Sequence, residues 1–399
     1  MRLKSRVGGL PVLLGLALIA GGVAWWLSGG ALPGVLGGSV GGDSPGPCGP
    51  GWRIVEAADP SKEYNELQAL AAVSTQDVWA VGTYATEEFA QTLIERWDGT
   101  RWFHVPSPSV SGYSNHLHAA AVVSSTDVWA IGGSHRGTSL WRTLALHWDG
   151  REWSVVPSPS PAQISILNAA AALPSGEVWA VGEYSTGSQG VGSQPLIMRW
   201  NGHDWSGAAT PRAGRGGTLN GVVAISPDDV WAAGSREDAS GGQPKPLVMH
   251  WDGRAWSVVE VQGAGELWAM AAVSPSDVWA VGNNGPQSLT MHWNGKSWSP
   301  VPSPNPSTGG NNLAGVAAIS TRDVWAAGSQ GSGDSGQTLA LHWDGSRWQP
   351  APTPNASRYL DSFLAVAAVG GNVWAAGSSI TDAVGTNKTL VARYSDPCR

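Results

Sequence analysis

The sequence predicts an all-β protein: a seven-bladed β-propeller with four-stranded blades, preceded by one N-terminal transmembrane helix. The first observation is the motif Asp-Val-Trp-Ala-Val-Gly at 77–82, which occurs, with small variations, in seven copies. The motif tryptophans lie 50, 50, 52, 48, 46 and 49 residues apart. A period near 50 residues is typical of one propeller blade. These tryptophans are Trp79, Trp129, Trp179, Trp231, Trp279, Trp325 and Trp374.

Four short apolar runs in each period are the second observation. In the first period they lie at 67–73, 78–83, 92–97 and 102–105. Each is rich in Val, Ala, Leu and Trp and is bounded by turn residues, as strands are. Residues 97–102, Trp-Asp-Gly-Thr-Arg-Trp, carry an Asp-Gly hairpin signal between the last two runs. The hairpin recurs, twice with Asn for Asp, at 148–153, 200–205, 251–256, 293–298 and 343–348.

The distribution of small and large residues orients each blade. The first run carries small side chains such as Ala69, Ala71 and Ala72, which suit the crowded strands nearest the propeller axis. Twenty of the 24 tryptophans fall on three repeat positions further out. Because aromatic side chains bury the most apolar area, we interpret these tryptophans as the core between blades.

The third observation concerns ring closure. The seventh repeat has no fourth run, whereas residues 51–55 align with the fourth runs of other blades. An N-terminal outer strand is therefore expected to complete the last blade and remove two exposed sheet edges. Cys48 and Cys398, the only cysteines, lie at this seam. We predict a disulfide between them in place of the covalent hairpin; the alternative is two free thiols.

Residues 1–30 are predicted to be a membrane anchor or signal segment. Three basic residues precede an uncharged, largely apolar stretch at 7–27, which is long enough to span a bilayer. The basic flank favours a cytoplasmic N-terminus and a propeller outside the cell membrane. The alternative is cleavage after Ala31 and secretion. Residues 31–47 then form a flexible Gly/Ser/Pro linker, and residues 48–399 form the propeller.

The charge balance limits the partners. The chain has 23 basic and 30 acidic residues and a formal net charge of −7. Without the three N-terminal bases the external part carries −10, so no nucleic acid partner is expected. We expect a monomeric propeller, and no cofactor is predicted.

Strand parity predicts where a ligand binds. The connections between first and second strands and between third and fourth strands share one face, which we call the tight face because they are short and uniform. The other connections are long and variable, and they form the loop face. Variable loops on a rigid scaffold are the usual seat of function. We therefore expect a protein or a glycan to bind the loop face.

Two tryptophans, Trp141 and Trp268, break the repeat pattern, and both fall on the loop face. An exposed aromatic residue there suits stacking on a sugar or a peptide side chain; packing of the loops is the alternative. Trp268 holds a position, at the predicted channel mouth, that other blades fill with Gln68, His118, Asn168, Asn220, Ala314 and Leu364. Weaker candidates are Phe89, Tyr113, His135 and Tyr359.

No catalytic or metal constellation is expected. One repeat position is shared by His147, His250, His292 and His342, with Arg96, Arg199 and Arg393 in other blades, so we interpret it as a framework donor to a neighbouring blade. His116 and His118 have a spacing that can hold a metal, but no third ligand is evident, and no metal is predicted. A polysaccharide hydrolase would need paired carboxylates at the channel mouth, for example from Glu87, Asp238 or Asp361.

Together these motifs, with Val-Pro-Ser-Pro after the fourth run, resemble bacterial extracytoplasmic propellers grouped with kelch-like and Asp-box (BNR-like) repeat proteins. The resemblance covers about residues 52–394 and implies the propeller fold. The Gly-Gly doublet of kelch repeats occurs only at 132–133, and Trp stands where Asp boxes have Ser or Thr. The arginine triad of sialidases and the copper site of galactose oxidases have no counterparts here. The enzymatic activities of these relatives are therefore not expected here. The predicted anchor, the seam disulfide and the lack of a recognisable active site favour a binding propeller; the alternatives are a polysaccharide hydrolase and an assembly scaffold for a membrane complex, as some Asp-box-like propellers are.

Overall fold

The computed structural model of the protein describes residues 49–137, 140–187, 192–238, 240–332 and 335–395. The predicted anchor at 1–30, the linker at 31–47, Cys48 and Cys398 lie outside the described residues. In the described ranges, no helix is long and apolar enough to cross a membrane.

The described residues form 28 β-strands in seven groups of four. Blade 1 consists of β2–β5: Asn65–Ser74, Asp77–Ala85, Ala90–Trp97 and Trp102–His104. Blade 2 consists of β6–β9: Ser114–Ser124, Asp127–His135, Trp141–Trp148 and Trp153–Val155. Blade 3 consists of β10–β13: Ile164–Ala172, Val178–Ser185, Gln194–Trp200 and Trp205–Gly207. Blade 4 consists of β14–β17: Gly217–Ser226, Asp229–Arg236, Lys245–Trp251 and Trp256–Val259.

The remaining blades follow the same order. Blade 5 consists of β18–β21: Glu266–Ser274, Asp277–Asn284, Gln287–Trp293 and Trp298–Pro300. Blade 6 consists of β22–β25: Asn311–Ser320, Asp323–Gln330, Gln337–Trp343 and Trp348–Ala351. Blade 7 consists of β26–β28, Leu360–Val369, Asn372–Ile380 and Asn387–Ser395, together with β1, Gly51–Ile54. Blades 2 and 3 are also joined by a single parallel bridge between Ile164 and Trp141.

The predicted ring closure is confirmed. Strand β1 pairs antiparallel with β28, and Trp52 lies opposite Tyr394. The first strands of successive blades contact one another around the ring, including β26 with β2, so the first strand of each blade is innermost. The N-terminal strand therefore ties the last blade to the connection that enters blade 1.

A β-bulge interrupts each innermost strand and explains the glycine of the repeat motif. In blade 1 the register shifts between Leu67 and Ala69, opposite Gly82. A Cβ atom built on Gly82 would lie 1.9 Å from the carbonyl oxygen of Glu66, a distance that no side chain tolerates. Only glycine lets the second strand approach the first this closely.

A belt of aromatic side chains joins neighbouring blades, as the tryptophan positions predicted. Trp79 of blade 1 packs on Trp148 and Trp153 of blade 2, with ring centroids 5.2 and 5.4 Å apart. The same pattern closes the ring, because Trp374 of blade 7 lies 4.9 Å from Trp97 and 5.4 Å from Trp102 of blade 1. Six motif tryptophans are thus covered by the hairpin tryptophans of the following blade. The seventh, Trp325, is covered by Tyr394 and Trp52 at the ring closure.

The shared His or Arg position pairs within its own blade, so the expected donor to a neighbouring blade is wrong. In blade 5, the His292 Nε2 lies 2.8 Å from the Asp277 Oδ1, and its ring centroid lies 4.4 Å from that of Trp279. Arg96 pairs in the same way with Asp77 at 2.8 Å in blade 1. The antiparallel register places this position opposite the motif tryptophan, which brings it beside the acidic residue two positions earlier.

Candidate functional site on the loop face

The predicted channel residues lie at the bulge of the innermost strands. Gln68, His118, Asn168, Asn220 and Trp268 are all half-buried at this position. Their placement at one repeat position of five blades agrees with the sequence alignment. Contact with a ligand is a separate matter, and it stays a prediction for all five.

Three of these side chains donate across blade boundaries. The His118 Nδ1 donates to the Leu167 carbonyl at 3.0 Å, from blade 2 to blade 3. Asn168 donates to the Leu219 carbonyl and Asn220 to the Leu267 carbonyl, each at 3.1 Å. The donors therefore satisfy backbone carbonyls next to the bulge of the following blade, which gives them a structural role from blade 2 to blade 5.

The two unusual tryptophans make intramolecular contacts. The Trp268 Nε1 donates to the Asn283 Oδ1 at 2.6 Å within blade 5. Trp141 is only 6% exposed, and its ring lies 4.1 Å from that of His135 in a stacked arrangement. In the same ring of bulge residues, Gln68 donates to the Glu66 carboxylate. These contacts correspond to the packing alternative, and stacking of either tryptophan on a ligand stays a prediction.

The three carboxylates named as examples for a hydrolase lie on different blades. Asp361 is 1% exposed, and its Oδ2 accepts a hydrogen bond from the Ser357 backbone at 2.9 Å. Asp238 pairs with Lys245 at 2.8 Å, and the hydrogen bond from this lysine helps lower the pKa of Asp238 to about 2. Glu87 is exposed on the blade 1 loop. None of them lines the pocket described next.

A pocket of about 220 Å³ lies on the loop face where blades 3, 4 and 5 meet. Three carboxylates line it: Glu183 near the end of β11, Glu237 just after β15, and Glu266 at the start of β18. Burial raises the pKa of Glu183, against a lowering hydrogen bond from Ser193, and burial also raises the pKa of Glu266. We call this site the acidic pocket.

The one basic residue among those that line the acidic pocket already forms an ion pair outside the lining. Arg236 lines the acidic pocket, and its guanidinium pairs with Glu260 at 2.9 Å. The raised pKa values show that burial of Glu183 and Glu266 outweighs the favourable interactions that these carboxylates have inside the protein. A cationic group entering the pocket would stabilise the charged form of both.

Sequence reasoning missed the acidic pocket, although a signal was present. Glu183 stands where the second strands of other blades carry uncharged residues such as Thr83 and Ser235. A charged residue at one repeat position can be recognised from the sequence alone. That Glu183, Glu237 and Glu266 line one pocket follows only from the order of the blades around the ring.

A second cavity, of about 580 Å³, lies between the outer parts of blades 3 and 4. Trp179, Trp251 and Trp256 line it together with Arg199 and Arg254. The neighbouring outer strand ends in small residues at 207–209, Gly-Ala-Ala, whereas most other blades have valine at the position of Ala208. None of the bulge residues lines this cavity, which is formed mainly by third strands, outer strands and a hairpin.

No group of three or more His, Cys, Asp or Glu side chains suited to a metal occurs within the residues that the structure describes. The hairpin carboxylates are also engaged locally. The Asp98 Oδ1 accepts hydrogen bonds from the backbone of Thr100 at 2.8 Å and of Arg101 at 3.0 Å. A further hydrogen bond from the Thr100 hydroxyl contributes most to lowering the pKa of Asp98, to about 2.

Comparison with known proteins supports the fold. No protein-family model and no curated protein matches the chain. Among solved structures, the chain is similar to YCF48 bound to D1 peptide, with 16% identity, coverage of 86% of this chain and 96% of that one, and a TM-score of 0.52. It is similar to U3-55K with 11% identity, coverage of 87% and 100%, and a TM-score of 0.57.

A sialidase also shares the architecture. A mutant of Trypanosoma rangeli sialidase displaying trans-sialidase activity is matched at 12% identity over 87% of this chain and 59% of that chain, with a TM-score of 0.50. Likeness at such low identity shows the β-propeller fold alone. The kelch-like or Asp-box affiliation and the bacterial origin stay predictions.

Proposed function

We propose that this protein is a membrane-anchored, extracytoplasmic propeller that binds a basic segment of a partner protein through its loop face. The acidic pocket carries the proposal, because Glu183, Glu237 and Glu266 converge there and the lining arginine is paired elsewhere. A lysine, an arginine or an amino terminus of the partner would supply the missing positive charge. YCF48 bound to D1 peptide supports protein binding by a propeller of this shape.

The test is a binding assay between the full chain and a set of synthetic peptides that differ only in their number of Lys and Arg residues. We expect affinity to rise with the number of basic residues and to fall with added salt. The double variant Glu183→Gln, Glu266→Gln should weaken binding by at least about tenfold, because it removes the charges that face the partner.

A matched control separates the pocket from the overall charge of the protein. The double variant Glu87→Gln, Glu88→Gln removes the same charge from the exposed blade 1 loop and should leave the affinity unchanged. Equal losses in both variants, or no preference for basic peptides, would contradict the proposal. Binding on a glycan array that disappears with Trp141→Ala and Trp268→Ala would instead favour a glycan ligand.

A polysaccharide hydrolase is the second candidate. Burial raises the pKa of Glu183 and Glu266 beside one pocket, and a carboxylic acid with a raised pKa is what glycoside hydrolysis uses as a general acid. Release of reducing sugar from a polysaccharide panel by the wild-type protein, lost in Glu183→Gln or Glu266→Gln, would favour this candidate. Peptide binding without such release favours the partner-binding function.

The membrane anchor and the Cys48–Cys398 disulfide are part of the same proposal. The strand pairing next to the two cysteines supports this disulfide. Gly51 lies opposite Ser395; Gly51 is three residues after Cys48, and Ser395 is three residues before Cys398. Peptide mass mapping without reduction should recover a cross-linked pair that contains Cys48 and Cys398. Membrane fractionation in the producing cell should recover the intact N-terminus with the membrane; recovery of a shortened chain from the medium would instead indicate cleavage.

A further inference from the structure

Three of the nine histidines gather on blade 2, away from the shared framework position. His116 and His118 lie on the innermost strand β6, and His135 is the last residue of the adjacent strand β7. The sequence drew attention to His116 and His118 as a pair. The structure instead places the Nε2 atoms of His116 and His135 3.3 Å apart.

We propose that His116 and His135 form a binding site for a divalent late first-row transition-metal ion, such as Zn²⁺ or Cu²⁺, on the loop face. Two imidazole nitrogens bound to one tetrahedral Zn²⁺ at 2.0–2.1 Å lie about 3.3 Å apart, which is the separation of these two atoms. The site is built from two protein ligands. Water or a side chain of a bound partner would complete the coordination.

The arrangement of the rings suits this role. The two ring planes differ by 12°, and the ring centroids are 5.3 Å apart. Because the centroids lie 2 Å further apart than the two Nε2 atoms, the rings meet edge to edge rather than face to face. The two Nε2 atoms therefore lie on the facing edges of the two rings. Trp141, stacked on His135, forms an apolar wall beside it.

Both histidines are held through their other nitrogen. The His135 Nδ1 lies 2.7 Å from the Gly137 carbonyl, which can only accept, so this nitrogen carries the proton and Nε2 keeps its lone pair. The His116 Nδ1 lies 3.3 Å from the Thr83 hydroxyl, whose oxygen can accept a hydrogen bond from an Nδ1–H. Metal-binding histidines are oriented by such partners at the second nitrogen.

His116 can bind a metal through Nε2 only as the neutral tautomer that carries its proton on Nδ1. In the absence of metal, the same two Nε2 atoms can share a hydrogen bond donated by His116. Metal binding then requires the His116 proton to be on Nδ1, where the N–H donates a hydrogen bond to the Thr83 hydroxyl.

The first test is a calorimetric titration of the full chain, without a polyhistidine tag, with Zn²⁺. We expect one saturable site per chain. His116→Gln and His135→Gln should each weaken binding by at least tenfold, and Thr83→Val, which removes only the orienting hydroxyl, should weaken it by about tenfold. The matched control is His203→Gln, which removes an exposed histidine from a blade 3 hairpin and should change nothing.

A spectroscopic measurement on the wild-type protein decides the case if a variant fails to fold. The electron paramagnetic resonance spectrum of the chain with one equivalent of Cu²⁺ should show coupling to two imidazole nitrogens. Absence of a saturable Zn²⁺ site, a spectrum without imidazole coupling, or an equal loss in His203→Gln would overturn the proposal.

Discussion

The outer belt and the loop face of this propeller follow opposite rules. In the belt, one arrangement recurs in all blades: a motif tryptophan, a His or Arg beside it, and a polar partner at the start of the second strand. On the loop face, the residue before the innermost leucine or phenylalanine changes from blade to blade. It is Glu66, His116, Ile166, Thr218, Glu266, Asn312 and Ser362 in turn.

This contrast separates framework from function within a single chain. Seven copies of one unit act as internal controls, since a position that the fold requires is filled alike in each copy. Positions that differ mark what the fold leaves free. The acidic pocket and the His116–His135 pair both arise at such free positions, whereas the aromatic belt does not.

The largest effect is expected from breaking the belt. Trp374 is fully buried against Trp97 and Trp102 at the ring closure. Trp374→Ala should lower the free energy of unfolding by about 3–5 kcal/mol, since it removes a large core side chain and leaves a cavity. Urea unfolding followed by circular dichroism measures this loss.

The same substitution on the loop face provides the comparison. Trp268 is half-buried, and Trp268→Ala should cost less than half as much as Trp374→Ala. Equal losses at the two positions would mean that the loop face contributes to the framework as strongly as the belt does.

Blade 1 has a buried carboxyl group, that of Glu95, at a position where the other blades have an apolar residue. Glu95 is 0% exposed, and its Oε2 accepts a hydrogen bond from the Ala58 backbone at 3.0 Å. Burial raises the pKa of Glu95 to about 8, opposed by the Ala58 hydrogen bond and reinforced by the charge of Asp59. Other blades hold an apolar residue here: Leu146, Met198, Met249, Met291, Leu341 and Ala392.

Glu95 should therefore contribute a loss of stability as the pH rises. Below the ordinary pKa of 4.5, Glu95 is protonated in both the folded and the unfolded chain, and it adds no pH dependence. As the pH rises, the unfolded chain releases this proton first, so the free energy of unfolding falls until the pH passes the folded pKa. The loss is roughly 3 kcal/mol between pH 5 and pH 8.

Glu95→Gln checks this prediction. The glutamine keeps an oxygen for the Ala58 N–H and carries no charge, so the loss of stability between pH 5 and pH 8 in urea unfolding should become smaller by roughly 3 kcal/mol. A variant with the same pH dependence as the wild type would show that another group is responsible.

The sequence predicted the framework well because each signal occurs several times. The predicted second strand of blade 1, 78–83, lies within the observed Asp77–Ala85, and the N-terminal strand pairs as expected. The hairpin signal was right for a physical reason, since the Asp98 carboxylate accepts the backbone N–H groups of its own turn. Local chemistry of this kind is fully contained in the sequence.

Contacts between elements were less predictable. His116 was paired with His118 by spacing, but the pairing of β6 with β7 brings His135 to it instead. The burial of Trp141 depends on the same two strands. The acidic pocket forms only when blades 3, 4 and 5 are packed side by side in the folded ring. Sequence spacing describes one strand, whereas these sites depend on which neighbouring side chains reach across to it.

A medium effect is expected from the polar partner of the belt. Asp277→Ala removes the partner of His292 beside the buried Trp279 and leaves the imidazole without its hydrogen bond. We expect a loss of about 1–2 kcal/mol in the free energy of unfolding. Glu87→Ala, on an exposed loop, is the control and should change it by less than about 0.5 kcal/mol.

The smallest change in the free energy of unfolding is expected where valine replaces Ala208, at a repeat position that most blades fill with valine. Ala208 borders the cavity between blades 3 and 4, and five of the six equivalent positions hold valine: Val55, Val105, Val156, Val259 and Val301. Ala208→Val should raise the free energy of unfolding by about 0.5–1 kcal/mol, because the added methyl groups fill space against the tryptophans. An exposed alanine outside this cavity gives the control, Ala356→Val, which should have no effect. If Ala208→Val destabilises the protein instead, the small residues of blade 3 are themselves required, and this part of the belt belongs with the variable positions rather than with the framework.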